Sequence, residues 1–451
     1  MLNVRRLTQK IVDHFERHIF YVDRYPRGYL FGFDGSKGIW REVTGEVEKF
    51  LREKLPTKLL HMSLIREVMA DLCQSLYRHT TPEEPPWNLI NFTNGVWDIK
   101  ADRFIENQQS LHQPPFFLSR IPHQFDPSND SDPGRIDEVF EDWVTPDYKI
   151  LLYEVAGYTL LRCHFAKKFF IPYGPGDNGK TTYAELLRRL VGRENCSALS
   201  MDEIMSDRFA LSSLRGKLIN ISGELVPTLK RTDRIKLLTG GDEVFAQEKF
   251  NKRFFFRPYA KLLFMANTIP STPDSTDAFY IRPIIIPFPN VIPPEKKNPK
   301  LIDDITGKEL QGLLTKLISE ILPVFIDRDF RFSVDPSVDE LRNQWESLSN
   351  PVQTFLKEHL SLSEGEEFVP NFVLHKCYKA YSEVNKLPQL NDREFADYMK
   401  KEGHKPVTKR LSPAKIEDYK ERRFPTTSPT SPCRGWFIHG FTWCDMWYDV
   451  L

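Results

Sequence analysis

Apolar positions follow different spacings along the chain, and each spacing predicts a different kind of element. Within residues 1–135, the stretches 7–20 and 46–80 carry apolar side chains at helical intervals, which predicts helices. The stretches 29–40 and 88–99 instead contain short apolar runs around glycine-containing turns, which predicts β-hairpins. Residues 1–135 are therefore predicted to form an α+β domain.

The middle of the chain carries short, continuous apolar runs flanked by helical patterns. Helices are predicted over residues 136–163 and near 309–325. The continuous runs between them predict buried strands, at residues 168–173, 214–224, 261–267 and 284–288. Buried strands that alternate with helices are typical of an α/β core, to which we assign residues 136–335.

After a predicted linker, the last hundred residues again carry apolar side chains at helical spacing. The segment from Pro293 to Pro299 predicts a linker. Further on, three helices are predicted at residues 352–360, 371–385 and 393–402, followed by a basic stretch and an aromatic segment at Trp436–Ile438. Three helices followed by a strand-like arm are typical of a winged helix-turn-helix, which we predict for residues 345–451.

Composition narrows the classes of protein that this chain can represent. Its 62 Lys and Arg balance 62 Asp and Glu, so the surface as a whole is not built to bind a polyanion. The six cysteines contain no C-x-x-C pair, which argues against a zinc ribbon and favours a reducing compartment. No apolar run of eighteen residues and no signal-like N-terminus occurs. We therefore expect a cytoplasmic protein without membrane contact.

Two local clusters depart from this neutral balance. Residues 249–261 contain five basic residues and no acid, interleaved with phenylalanines and a tyrosine. Residues 400–423 contain nine basic residues against four acids. Most basic runs are solvated faces, but basic residues interleaved with aromatics favour a surface that binds a nucleic-acid strand.

The strongest chemical signal is a nucleotide-binding pattern between a predicted strand and a predicted helix. The pattern G-x-x-x-x-G-K-[ST] is matched by Gly174, Pro175, Gly176, Asp177, Asn178, Gly179, Lys180 and Thr181, and Thr182 follows. Such a loop turns backbone N–H groups and a helix N-terminus toward phosphates. Lys180 is expected to be an exposed loop residue that reaches the β- and γ-phosphates of ATP. Thr181 is expected to offer its hydroxyl to Mg²⁺.

Polar residues at the ends of later strands are candidates for the chemistry of hydrolysis. Glu224 follows the second predicted strand, where a carboxylate can bind Mg²⁺ and orient the attacking water. Asn267 ends the third strand, where an amide can sense the γ-phosphate. Arg282 precedes the fourth strand and is a candidate finger that reaches a neighbouring subunit's nucleotide.

The order and spacing of these motifs resemble a superfamily 3 helicase, specifically the helicase half of poxvirus-like and phage or plasmid primase–helicases. The similar segments are residues 174–181, 214–224, 236–242, 264–270 and 282–288, with residues 91–98 similar to the family's accessory domain. The resemblance implies an AAA+-type ATPase core, a homo-hexameric ring, and translocation along single-stranded or forked DNA. It also implies a virus-, phage- or plasmid-encoded protein.

The resemblance further implies a β-hairpin whose lysine contacts DNA in the ring channel. By position that lysine is Lys249, followed by Phe250, with Lys252 and Arg253 close by. Two positions depart from the family pattern: Gly223 stands where many members have a second acid, and Ile281 stands where many have an arginine. No primase module is evident, so the chain is either a stand-alone helicase or a part of a longer primase–helicase.

Two other functions fit the glycine-rich pattern. An origin-binding or DNA-loading ATPase would use the predicted winged helix to recognise DNA without processive unwinding. A small-molecule kinase would share the loop, but it has no need of the basic hairpin or of an arginine that acts on a neighbour.

Overall fold

The computed structural model describes most of the chain, and the account below is confined to those residues. They are residues 4–14, 19–22, 29–55, 61–78, 83–106, 114–129, 132–223, 225–226, 228–247, 253–359, 366–384, 387, 390–401, 403–411 and 433–439. The chain folds as two compact units. The first contains residues 1–226, 231–266 and 281–335, and the second contains residues 227–230, 267–280 and 336–451. The boundary predicted at residue 135 lies inside the first unit and stays a prediction.

The first unit begins with three helices beside a four-stranded sheet. In chain order, these helices and strands are α1 (Val4–His14), β1 (Ile19–Val22), β2 (Tyr29–Asp34), β3 (Ile39–Glu42), α2 (Thr44–Lys54), α3 (Met62–Ser75) and β4 (Tyr77–Arg78). The sheet order is β3-β2-β1-β4. The β2–β3 hairpin confirms the prediction, but the predicted helix 7–20 is wrong at its end, where Phe20 pairs with Phe31 across the sheet. The run Ile-Phe-Tyr-Val is β-branched and aromatic, and pairing with β2 overrides the helical spacing.

A small antiparallel sheet follows, as the Asn-Gly turn predicted. It consists of β5 (Leu89–Asn91), β6 (Gly95–Asp98) and β7 (Arg103–Glu106). Gly95 is required by a close approach, because an ideal Cβ there would lie 2.5 Å from the carbonyl oxygen of Ile105. Phe92 and Trp97 pack from this sheet into the main core.

The rest of the first unit is a mixed α/β fold around a parallel sheet. Its elements are α4 (Gly134–Trp143), α5 (Pro146–Thr159), β8 (Phe169–Tyr173), α6 (Lys180–Val191), β9 (Cys196–Ser197), α7 (Met201–Ser206), β10 (Ile219–Ser222), α8 (Asp233–Gly240), β11 (Val244–Gln247), β12 (Arg253–Phe256) and β13 (Lys261–Phe264). After α9 (Asp277–Tyr280), which belongs to the second unit, come β14 (Pro283–Pro287), α10 (Leu301–Thr315) and α11 (Leu322–Asp327).

The parallel sheet has five strands in the order β14-β8-β13-β10-β9. Every neighbouring pair in it is parallel. All five residues of β8 are buried, as expected for a strand that is covered on both faces. This burial explains why the strands of the core are continuous apolar runs, and the α/β prediction for this region is confirmed at that level.

The helix predicted near residues 309–325 is longer and not uniform. A π-helical turn at Lys316–Ile321 joins α10 to α11, so the helical path runs from Leu301 to Asp327. Gly157 of α5 lies against this path, and an ideal Cβ there would lie 3.2 Å from Leu322. A close contact between the helices therefore depends on a residue without a side chain.

The second unit ends in helices beside a three-stranded antiparallel sheet. Besides α9 it contains α12 (Val338–Ser349), α13 (Pro351–His359), β15 (Glu366–Pro370), α14 (Asn371–Val384), α15 (Asp392–Lys401), β16 (Pro406–Lys409) and β17 (Cys433–His439). The sheet order is β15-β17-β16. Phe355, Tyr378, Phe395 and Trp436 form its buried centre. The three helices predicted after residue 350 are confirmed.

Across the described parts of both units, the helices are too short or too polar to span a bilayer.

Candidate functional site

A glycine loop, residues 174–179, connects the carboxyl end of β8 to the first residue of α6. Two of its glycines have conformations that other residues rarely adopt: φ is 152° at Gly174 and 93° at Gly179. An ideal Cβ on Gly179 would also lie 2.5 Å from the ring of Trp143. The loop conformation therefore requires glycine at both positions, which explains the spacing of the pattern.

A second segment crosses this loop and holds it in place. We call residues 288–297 the strap. The Asn178 side chain donates to the carbonyl oxygen of Phe288 at 2.6 Å, and the Ile292 N–H donates to the Asp177 carbonyl at 2.8 Å. Lys297 forms an ion pair with the Asp177 carboxylate at 2.9 Å. The loop is thus tied to a segment more than a hundred residues further along the chain.

Lys180 is folded into the loop, contrary to the expectation that it is exposed. Its side chain is only 7% exposed. Its ammonium group donates to the carbonyls of Gly174 at 2.7 Å and Pro175 at 2.5 Å, and to the Asn178 side-chain oxygen at 2.9 Å. All three N–H donors of the lysine therefore have a partner in its own loop. Burial lowers the pKa of Lys180 to about 8.

This arrangement suits an anionic ligand with several oxygens. The first N–H groups of α6 have no partner within the helix and lie next to the loop. Phosphate oxygens can replace the loop carbonyls as acceptors for the Lys180 ammonium. The Thr181 side chain is exposed beside the helix start, and Thr182 is half-buried. The residues present therefore fit a nucleoside triphosphate.

A divalent cation would depend mainly on Thr181 and on the ligand's own oxygens. Within the described ranges, no group of three His, Cys, Asp or Glu residues is arranged to hold a metal ion. Glu224, the predicted carboxylate, lies outside those ranges. The preceding strand, β10, ends at Ser222, and the exposed Gly223 follows it. A cation held by one hydroxyl and by phosphates agrees with the preference of Mg²⁺ for few protein ligands.

The carboxyl ends of three strands meet at the edge of the sheet that carries the glycine loop. The Gly174 N–H donates to the Ala266 carbonyl at 3.2 Å, and the Met265 N–H donates to the Ser222 carbonyl at 2.9 Å. β13 therefore lies between the loop strand and β10, the strand that leads to Glu224. Asn267 is exposed and is the first residue of a segment assigned to the second unit.

Arg282 lies at the opposite edge of the same sheet. Its carbonyl accepts from the N–H of Phe169, the first residue of β8, whereas the glycine loop follows the last. Five residues of extended chain separate the two edges by about 15 Å. The Arg282 guanidinium donates to the Thr239 hydroxyl at 3.0 Å and to the Lys236 carbonyl at 3.4 Å. The Arg282 side chain, bonded to α8, therefore lies too far from its own glycine loop to contact phosphates held by that loop.

The predicted β-hairpin is formed by β11 and β12, which pair from Val244↔Phe256 to Gln247↔Arg253. One face is buried and includes Val244, Ala246 and Phe254. The Arg215 guanidinium lies 5.0 Å from the ring centre of Phe254 and 5.0 Å from that of Phe31 in β2. The stem of the hairpin is thus fixed to the N-terminal sheet.

The predicted DNA-contacting tip lies outside the described residues. This holds for Lys249, Phe250 and Lys252, while Arg253 is described only as the first residue of β12. The opposite face of the hairpin stem carries two exposed rings, Phe245 and Phe255. Sequence inspection grouped Phe255 with the other aromatics of this segment and did not single out Phe245.

The strap is the part of the site that sequence inspection missed. The prolines of residues 293–299 predict only a linker. The one local signal was the Lys296-Lys297 pair, and a pair of lysines after a strand is too common to indicate a ligand. The contact of Lys297 with Asp177 joins residues 120 positions apart, which no local pattern can predict.

Comparisons with known proteins match the part of the chain that contains the glycine loop. A family model described as "Family of unknown function (DUF5906)" matches residues 173–282, which run from the last residue of β8 to Arg282. A protein of Acanthamoeba polyphaga mimivirus named "Putative helicase L207/L206" is 24% identical over 214 residues. The match covers 44% of this chain and 22% of the viral protein, so the chain spans about a fifth of that relative's length.

Two solved structures of the apo C-terminal region of NrS-1 also align with the chain. One has a TM-score of 0.49 at 10% identity and covers 96% of this chain and 98% of that one. The other, of residues 305–718, has a TM-score of 0.49 at 12% identity and covers 97% and 100%. The sequence match to the mimivirus protein supports distant homology to a viral helicase-related protein.

Proposed function

We propose that this protein is an ATP-driven DNA helicase of the superfamily 3 type, which couples ATP hydrolysis to strand separation as a ring of identical subunits. The observation that carries the proposal is the glycine loop, with Lys180 buried among acceptors that phosphate oxygens can replace. The distant similarity to a viral protein named as a helicase supports DNA as the substrate and a viral or related origin.

In this proposal the nucleotide site uses residues from successive strands of an AAA+-type core. The backbone of residues 174–182 would hold the phosphates of ATP, and Thr181 would contribute to Mg²⁺ binding. Glu224 would orient the attacking water, and Asn267 would sense the γ-phosphate. Lys180 would exchange its contacts with the loop carbonyls for contacts with the β- and γ-phosphates.

In a ring, Arg282 would act on the nucleotide of a neighbouring subunit. An arginine about 15 Å from its own loop can stabilise the transition state only in a neighbouring subunit. If so, adding Arg282→Ala subunits to wild-type rings must lower ATP hydrolysis more steeply than dilution does. Thr239→Val is the matched control, since it removes the hydroxyl that Arg282 contacts and keeps the cation. A strictly linear response to mixing would argue against a finger that acts in trans.

The remaining parts of the first and second units have assigned roles in the proposal. Residues 1–135 would be the accessory domain of a primase–helicase, with a primase module or partner acting beside it. Residues 345–451 would be a winged helix, a view supported by the helices around the β15-β17-β16 sheet. The β11–β12 hairpin would contact single-stranded or forked DNA through Lys249, Phe250, Lys252 and Arg253.

The direct test is unwinding of a forked duplex without any specific sequence. We expect strand separation that requires ATP and Mg²⁺ and that is lost in Lys180→Ala. Electron microscopy of the protein with nucleotide and DNA should show six-fold rings. ATP hydrolysis without unwinding of any fork would contradict the helicase assignment.

The same measurements separate this proposal from a second candidate, an initiator or DNA-loading ATPase. The helices and antiparallel sheet of the second unit favour that candidate, because such folds often recognise duplex DNA. An initiator would bind one duplex sequence far more tightly than others and would not unwind a generic fork processively.

A further inference from the structure

The two faces of the β11–β12 hairpin differ sharply in burial. Phe254 on one face is 5% exposed, whereas Phe245 and Phe255 on the other are each 45% exposed. The two exposed phenylalanines are direct cross-strand partners. Their ring centres lie 5.0 Å apart and the rings are tilted by 52°. They form a continuous aromatic surface on the stem, which we call the stem pair.

Anchoring of the hairpin does not by itself account for the stem pair. Val244, Ala246 and Phe254 on the buried face pack against the rest of the unit, and Arg215 lies against Phe254. Cross-strand aromatic contact contributes some stability to a hairpin. Two half-exposed aromatic rings in contact with each other nevertheless offer a flat surface on which another aromatic group can stack.

The charges near the stem pair indicate what it binds. Residues 242–261, which include both strands of the hairpin, carry five basic residues, of which Lys261 is buried, and three acids. Arg257, immediately after β12, is exposed. Four of the basic residues follow Glu248 with no acid between them, so this segment favours a partner that combines negative charge with flat apolar groups. Single-stranded nucleic acid has both, because its phosphates lie beside unpaired bases that can stack on aromatic rings. In a duplex the bases are paired and stacked, and they cannot reach these rings.

We propose that Phe245 and Phe255 form a stacking platform for bases of single-stranded DNA. This inference rests on the proposed helicase function and extends it, because it assigns base contacts to the stem in addition to phosphate contacts at the tip. Every base has an aromatic face, so the platform binds without sequence preference, as a translocating protein requires.

The test compares normal and abasic oligonucleotides. Full-length protein is titrated, without nucleotide, against a single-stranded oligothymidine and an abasic oligomer of equal length over a salt series. Phe245→Ala/Phe255→Ala should bind oligothymidine about tenfold more weakly and the abasic oligomer equally well. The dependence of affinity on salt should not change, because the rings carry no charge.

Matched variants separate stacking from structure. Phe165 is 52% exposed and its ring contacts those of Trp87 and Phe330, which are not part of the hairpin, so Phe165→Ala should leave DNA affinity unchanged. Phe245→Trp/Phe255→Trp should keep the preference for oligothymidine, and Phe245→Leu/Phe255→Leu should lose it.

Three results would overturn the inference. Equal losses on normal and abasic strands would mean that the stem pair only maintains the hairpin. Unchanged affinity would mean that it does not touch DNA. A change in oligomeric state without a change in base preference would make it a contact between subunits. If wild-type protein bound neither oligomer, the proposed helicase function itself would fail, which is a distinguishable result.

Discussion

The glycine loop and the β11–β12 hairpin are both predicted to bind polyanions, but they are built in opposite ways. The loop is closed on itself: Lys180 is buried and its donors are used within the loop, and the strap crosses it. The hairpin is anchored on one face only, and its other face displays two exposed phenylalanines. A ligand at the loop must replace existing contacts, whereas a ligand at the hairpin adds new ones.

This difference has a thermodynamic consequence. A phosphate at the loop would replace the hydrogen bonds from Lys180 to the loop carbonyls by bonds from Lys180 to its own charged oxygens. Binding at the loop should therefore be sensitive to the protonation of Lys180. Adding stacked bases and phosphate contacts at the hairpin makes binding there sensitive to aromatic area and salt. The two sites should therefore respond to different variables.

The largest expected effect is that of Lys180→Ala on ATP hydrolysis, which should fall to less than a few per cent of the wild-type rate. The lysine compensates phosphate charge in the ground and transition states. The fold should persist, because the change is confined to one loop. DNA binding without nucleotide should be unchanged. Loss of both activities, with an unchanged circular dichroism spectrum, would show that the two sites are not independent.

The next largest effect is that of pH on nucleotide affinity. Burial lowers the pKa of Lys180 to about 8, so the free loop loses its positive charge as the pH rises through that value. The phosphate-bound state requires the charged lysine, so binding must take up a proton above pH 8. Affinity for ATP should then fall by up to about tenfold per pH unit. Calorimetric titrations from pH 7 to 9.5 would measure this slope.

One other lysine could imitate this pH effect. Lys261, at the amino end of β13, also has a pKa lowered to about 8 by burial. Burial makes the charged form of Lys261 unfavourable in the folded state. The free energy of unfolding should therefore rise as the pH increases from about 8 toward the ordinary pKa of a lysine, because the unfolded state then binds more protons than the folded state. Melting temperatures without nucleotide report that contribution. A flat ATP affinity across pH 8 would contradict the assignment to Lys180.

A smaller effect is expected for Lys249→Ala, at the predicted tip of the hairpin. One lost phosphate contact should lower the salt dependence of single-strand binding by about 0.7 per subunit in the logarithmic slope. Hydrolysis without DNA should be unchanged, because the nucleotide site is built from other segments. Lys300→Ala is the control, since Lys300 is exposed and distant from the hairpin in sequence. Identical salt dependence for the wild type, Lys249→Ala and Lys300→Ala would contradict a DNA contact by Lys249. It would favour a contact by Lys252 or by the C-terminal basic stretch.

The smallest effect concerns Lys297 in the strap. Its ion pair with Asp177 is exposed on both sides, and such pairs contribute at most about 1 kcal/mol. Lys297→Ala should weaken ATP binding a few-fold, because it leaves the Asp177 carboxylate uncompensated beside the phosphates. Adding Asp177→Asn should restore the affinity. A double-mutant cycle in which the two changes are additive would mean that the pair is irrelevant to nucleotide binding.

Local sequence predicted those parts of the molecule that are determined by local chemistry. The buried strands follow from continuous apolar runs, and the glycine loop follows from residues that tolerate unusual φ values. The strand at Phe20 was not predicted, because pairing with a later strand decides its conformation. The burial of Lys180 depends on how its own loop folds, which the residue pattern does not specify, and the strap depends on segments far apart in the chain.

The stem pair shows a related limit. The aromatic run Phe254-Phe255-Phe256 was visible in the sequence, but successive residues of a strand point to opposite faces. A register shift of one residue would exchange buried and exposed rings. Only the pairing of Phe245 with Phe255 establishes which rings share the exposed face.

The Arg215 side chain, which lies between Phe31 and Phe254, affects how truncated forms of this protein should be interpreted. A fragment that begins after residue 106 would retain every residue of the glycine loop and the whole hairpin sequence, yet it would lack Phe31. The hairpin stem would then lose one side of its support. Such a fragment could hydrolyse ATP and still bind DNA poorly. Poor DNA binding by this fragment would not show that the deleted residues contact DNA, because the loss of Phe31 removes a contact that supports the hairpin stem.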